Sequence, residues 1–179
     1  AEMLDLKANP NTRATGIVLE SRVVLGRGIV GTVVVQKGTL RRGAPVLAGE
    51  AWGTVRAMHN HRGDATETAM PGDPVEIVGL DQPPEAGSRF YVLPDTNQAR
   101  DIAETRRQKS REKELAAQSK PTTVESLLSA TSEGRAQELN LVLKVDVKGS
   151  LEPVKSLLTR LGTEEVRVKV VHSAVGAVN

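Results

Sequence analysis

The stretch Gly26–Gly49, GRGIVGTVVVQKGTLRRGAPVLAG, constrains the fold more than any other part of the chain. Its first six residues spell G-x-G-x-x-G. In a dinucleotide-binding domain that spacing leaves a strand and opens a helix whose N-terminus faces a pyrophosphate. Here Gly31 is followed by Thr32, Val33, Val34, Val35 and Gln36. Side chains branched at Cβ crowd a helical turn and fit a pleated strand, so the run disfavours an immediate helix. The next breaks, Gly38 and Gly43, are spaced like turns between short strands. The alternative, a free-standing small-ligand or nucleotide-binding domain built on Gly26–Gly31, requires a helix at Thr32.

Glycine and proline keep interrupting the chain as far as residue 95. The apolar runs between them give candidate strands at Thr15–Val24, Gly28–Gln36, Pro45–Ala48, Gly53–His59, Pro74–Val78 and Arg89–Val92. Short strands at this spacing predict a closed barrel, which also removes exposed edges. Within the second strand Ile29, Val33 and Val35 share one face and Val30, Thr32 and Val34 the other, so both faces are expected to be covered. Aromatics make up only 2% of the chain, which leaves the core to Val, Leu, Ile and Ala.

Residues 96–120 change character. Asp95 is placed to cap a helix, with Gln98 three residues on. The following ARDIAETRRQKSREKELAAQ carries thin apolar stripes at its ends and charge all round its middle, the pattern of a helix bridging domains through solvent. Residues 121–179 read as α/β. Pro121 breaks the linker, and Thr122 and Glu125 form a capping box for a short helix that Gly134 ends. Leu139, Leu141, Leu143, Val145 and Val147 alternate with polar residues as a strand. Gly149 and Ser150 open a helix bearing Leu151, Val154, Leu157, Leu158 and Leu161, with Ser150 expected to cap it, and Gly162 closes it. A strand from Val166 to His172 completes a βαβ unit. The division is therefore 1–95 barrel, 96–120 charged helical linker and 121–179 partial α/β domain: mainly β, then α/β.

Net charge is −1 over residues 1–95, +3 over 96–120 and zero over 121–179. No domain is basic enough to coat itself in nucleic acid, so RNA contact must be local. The absence of cysteine excludes disulfides and thiolate zinc sites and fits a reducing, cytoplasmic setting. No apolar run approaches the roughly 20 residues of a membrane span, so no membrane partner is expected. AEMLDLKANP has no signal-peptide pattern, and its lack of an initiator Met leads us to expect a piece of a longer chain. There is no phosphate loop of the form G-x-x-x-x-G-K-[ST], no N-K-x-D and no G-x-S-x-G. Neither nucleotide binding nor catalysis is expected of this chain. His59, His61 and Asp64 lack a third well-spaced strong ligand, so an exposed polar turn is expected there rather than a metal. Trp52, Phe90 and Tyr91 make a poor base-stacking platform, and Trp52 is expected as a barrel plug or domain contact.

Three segments resemble the bacterial family of translation initiation factor two: Gly26–Gly49, then GTVRAM at Gly53–Met58, then AMPGDPVEIVGLDQPPEAG at Ala69–Gly87. The first is shared among translational GTPase barrels, so a barrel from another such GTPase is the competing reading. The segments LNLVLKVDVKGSLEPVKSLL (Leu139–Leu158) and VKVVHSAVGAVN (Val168–Asn179) are similar to the initiation factor and not to elongation factors. HNHRG at His59–Gly63 and MPGDP at Met70–Pro74 depart from the family's pattern, both in loops. The resemblance implies the middle of such a factor: its translation-factor-type β-barrel (domain II), connecting helix and the first half of domain III. It implies a ribosome-docking and coupling module, monomeric, whose parent is a GTPase promoting initiator tRNA binding and subunit joining. GTP and Mg belong to a domain absent from this chain, and the tRNA-binding barrel and contacts to the large subunit lie outside it too. Small-subunit rRNA is the implied partner, with Arg27, Arg41, Arg42, Arg56, His61 and Arg62 as candidate phosphate contacts. Arg106, Arg107, Lys109, Arg111 and Lys113 mark the interdomain linker.

Overall fold

The computed structural model describes residues 7–118, 137–163 and 166–177. Strands β1 (Thr15–Val24), β2 (Gly28–Lys37), β4 (Pro45–Ala48), β5 (Ala51–Asn60), β7 (Pro74–Leu80) and β8 (Arg89–Val92) close an antiparallel barrel in the order β1-β2-β7-β5-β4-β8. β8 returns to β1 through Thr15↔Tyr91 and Gly16↔Phe90. Two further strands, β3 (Leu40–Arg41) and β6 (Thr68–Ala69), pair beside it. The β-branched run after Gly31 is strand throughout. The Arg27 amide donates to the Val24 carbonyl at 3.2 Å in the β1–β2 turn, where Gly26 and Gly28 take φ of 80° and 79°. The nucleotide-loop alternative is overturned there, because a helix at Thr32 is what it needed.

Val18, Val33, Val35, Leu40, Val46, Met58, Ile77 and Phe90 form the barrel core. β2 is covered on both faces as its pattern indicated: Val33 and Val35 point into the core, while Val30 is buried on the other side. Phe90, not Trp52, plugs the barrel. It fits because Gly16 lacks a side chain: a Cβ there would lie 2.4 Å from the Phe90 ring and 2.0 Å from the Val34 carbonyl oxygen. Trp52 instead lies half-buried against a second cluster outside the barrel.

That cluster belongs to helix α1 (Thr96–Gln118). Asp95 starts the helix through its backbone carbonyl, which accepts from the Ala99 amide at 3.3 Å. Ala99 and Ala103, one turn apart on the same face, are fully buried with Leu47, and Trp52, Leu93 and Ile102 pack around them. The first half of α1 therefore lies on the barrel. The apolar stripe expected at the start of the helix is what seats on the barrel, where a helix bridging domains through solvent was expected, because two small residues let it approach the β4–β5 hairpin closely. Beyond Arg107, Lys109, Arg111 and Lys113 are exposed.

The expected Pro121–Gly134 segment lies outside the described residues. Strand β9 (Gln137–Val145), helix α2 (Leu151–Arg160) and strand β10 (Val166–Val175) form the βαβ unit, with β9 and β10 parallel from Val166↔Gln137 to Val175↔Val145. A 3-10 turn, Lys148–Ser150, precedes α2, and Ser150 makes no side-chain cap bond. The expected cap is corrected: Ser150 is already helical, at φ −82°, ψ −16°, whereas a capping residue needs an extended backbone to turn its oxygen onto the following amides. Val147, expected in the strand, bridges to Arg22 of β1 instead.

Candidate nucleic-acid interface

The β5–β7 pairing shapes one groove on the barrel. Its register shifts between Gly53 and Ala57, a bulge that re-aims the side chains of the strand. The two strands approach so closely that a Cβ on Gly53 would fall 2.1 Å from the Gly79 carbonyl oxygen, and one on Gly79 would fall 2.1 Å from that of Thr54. Glycine at both positions is thus a steric requirement. The result is an open groove of about 460 Å³ lined by Arg27, Trp52, Thr54, Arg56, Asp81 and the glycine backbone. Arg27, thrown outward between two glycines, and Arg56, from the bulged strand, are exposed. They are the two sequence-predicted arginines that one groove brings together. Two guanidiniums on the wall of one groove can bind a phosphodiester by charge-assisted hydrogen bonds.

The other candidates lie apart. Arg41, exposed on β3, lines a separate open recess of about 510 Å³ with Arg13, Asn11 and Thr39. Arg42 is engaged within the protein: its Nη1 meets Glu67 at 2.8 Å and its Nε donates to the Arg56 carbonyl at 2.9 Å. The Glu67 pair is exposed, so water screens it and it contributes little stability. His61 and Arg62 sit exposed in the turn after β5, which Asn60 organises by accepting from the amides of Arg62 at 2.9 Å and Asp64 at 3.0 Å. Among the described residues, no group of three or more His, Cys, Asp or Glu could hold a metal. Phe90 is in the core, with Tyr91 next to it only half-buried, so the aromatics present no common stacking face.

Two linker arginines have local partners. Arg106 Nη1 donates to the Gly49 carbonyl at 2.6 Å. Arg107 donates twice to the Glu50 carbonyl, at 3.0 and 2.8 Å, and its Nη2 pairs with Asp81 Oδ2. Asp81 Oδ1 accepts from the Trp52 amide at 2.9 Å. Sequence reasoning passed over Asp81, Glu50 and Arg13. Asp81 stands at a strand end among prolines, and nothing local ties it to an arginine 26 residues on. Among the described residues, no helix is long and apolar enough to cross a membrane.

A family profile described as elongation factor G domain 2 matches residues 13–93, and one described as translation-initiation factor 2 matches residues 112–179. A protein named translation initiation factor IF-2 from Clostridium botulinum (strain 657 / Type Ba4) is 45% identical over 179 residues, all of this chain and 26% of that protein. Its namesake from Caldanaerobacter subterraneus subsp. tengcongensis is 47% identical over 178 residues, 99% of this chain and 25% of that one. The chain thus spans about a quarter of the length of the curated relatives it matches. Among solved structures, GDP-bound aIF5B from Aeropyrum pernix aligns with 92% of this chain and 26% of its own, at 21% identity and a TM-score of 0.43. Along its whole length the chain is thus similar to proteins named translation initiation factor IF-2, as a stretch of about a quarter of their length.

Proposed function

We propose that this chain is the ribosome-docking and interdomain-coupling part of a translation initiation GTPase, one that promotes initiator tRNA binding to the small subunit and subunit joining. It is non-catalytic in this reading, works in the cytoplasm as a monomer, and leaves GTP and Mg²⁺ to a domain outside it. The observation that carries the reading is identity of 45% to an IF-2 protein across all 179 residues. The docking element is the Arg27–Arg56 groove, which two exposed cations line together. Arg41 with Arg13 forms a second, independent contact, and His61 and Arg62 a third. Arg42, already bonded to Glu67 and to the Arg56 carbonyl, contributes less to RNA contact than these.

Co-sedimentation with small ribosomal subunits over a salt series tests this. Each phosphate contact contributes roughly 0.7–0.9 to the log–log salt slope. Arg27→Ala/Arg56→Ala should therefore flatten the slope by about 0.7–0.9 for the one phosphate the groove holds, and Arg42→Ala should leave it nearly unchanged. Salt-independent binding, or a slope indifferent to Arg27 and Arg56, removes the groove as the docking element.

A further inference from the structure

We propose that the Arg27–Arg56 groove takes a phosphate of an RNA backbone and that Asp81 couples its occupancy to the seating of α1 on the barrel. The proposal rests on the RNA-docking reading above and adds a regulation to that site. Asp81 belongs to two structures at once. It lines the groove, and its Oδ2 is held by Arg107 of α1. Its Oδ1 is taken by the Trp52 amide at 2.9 Å. Trp52 is shared in the same way: it lines the groove and packs against the cluster of Ala99 and Ala103.

With α1 seated, Arg107 neutralises Asp81, and the groove shows an arriving phosphate the charges of Arg27 and Arg56. With α1 lifted, a bare carboxylate on the groove wall opposes the phosphate, and Trp52 loses the helix behind it. A phosphate therefore binds the seated state more tightly. In a largely solvated groove, a like-charged carboxylate on the wall disfavours a phosphate roughly threefold to tenfold. By thermodynamic reciprocity, bound RNA holds α1 down by the same factor. Docking on RNA would thus stiffen the start of the helix that leads toward the βαβ unit.

The test uses the 179-residue chain and purified small ribosomal subunits, with five proteins: wild type, Arg107→Ala, Asp81→Asn, the double variant of these two, and Arg27→Ala/Arg56→Ala. Arg107→Ala should weaken binding about threefold to tenfold, although Arg107 does not line the groove. Asp81→Asn in the Arg107→Ala background should restore binding to within about twofold of wild type, since it deletes the bare carboxylate without reseating the helix. Hydrogen exchange at Ala99–Arg107 should slow on subunit binding in wild type and not in the double variant. If Arg107→Ala binds as wild type, if Asp81→Asn fails to rescue it, or if exchange in α1 ignores the subunit, the coupling is wrong and the docking groove stands. If Arg27→Ala/Arg56→Ala binds as wild type, the groove itself is wrong. Should Arg107→Ala fold poorly, Arg107→Gln removes the same charge with less loss of packing and is read by the same outcomes.

Discussion

Replacing Gly53 by alanine isolates the steric requirement in the wall of the groove. Gly53 lies in β5, and its backbone is not in the left-handed region. The cost of adding a methyl group there comes only from what it meets. It meets the Gly79 carbonyl oxygen at 2.1 Å, the Gly79 carbonyl carbon at 2.9 Å and the Leu80 Cα at 2.9 Å, all backbone. No side chain can rotate away, so β5 and β7 must separate at the bulge that carries Arg56. Overpacking with a flexible neighbour costs about 1–3 kcal/mol, and a rigid one puts this change at or above the top of that range. For a chain of this size, about 3 kcal/mol corresponds to a fall of roughly 6–12 °C in Tm. Gly31→Ala is the control: it is also a buried strand glycine, but its nearest neighbour would be the Leu80 Cδ1 at an ordinary 3.6 Å. Losing glycine's unfolded-state freedom should make that change neutral or stabilising by roughly 0.5 kcal/mol. Thermal melts of the two variants by circular dichroism decide the matter. Equal Tm values for Gly53→Ala and Gly31→Ala would refute the claim that β5 and β7 leave no room for a side chain.

Two further predictions concern α1. Ala103→Asp puts a carboxylate into a fully buried site between helix and barrel; we expect α1 to detach, with a red shift of Trp52 emission and faster hydrogen exchange over Ala99–Arg107, while the barrel still melts cooperatively. A flexible glycine insert after Gln108, beyond the Arg107 contacts, should leave barrel stability and subunit binding unchanged yet, on the function proposed above, uncouple GTP hydrolysis from subunit joining in a GTPase that carries this chain. Normal coupling with the insert would show that α1 does not act as a stiff element.

The barrel was largely legible in the sequence. Its strands carry β-branched residues in alternation, and its turns carry glycines, as in Val24–Gly28. β3 and β6 escaped notice because a two-residue strand has no periodicity to read. Helix α1 was legible as a helix with a thin apolar stripe at its start, but its seating was not: a stripe of two alanines and Ile102 is too thin to say what covers it, and charged neighbours dominate the pattern. Much the same holds for the site. Arg27 announced itself by its flanking glycines, yet its meeting with Arg56 depends on a bulge that the sequence does not show. Asp81 gained its importance only from tertiary contacts with Trp52 and Arg107. Ser150 shows the opposite failure, since a plausible capping residue lies inside a 3-10 turn that begins two residues earlier.

The bridge between Arg22 and Val147 has a consequence for how this chain can be divided. β1 pairs with β2 along its full length, but with β8 only from Thr15 to Ile17. Past Val18, which exchanges backbone bonds with Ser88 and Gly87, β1 has no further strand on that side among the described residues, and Val147 bridges to it at Arg22. A shortened protein ending before Val147 would leave it as a template for a strand from another molecule. Self-association of such a fragment would then reflect where it was cut rather than any property of the intact factor.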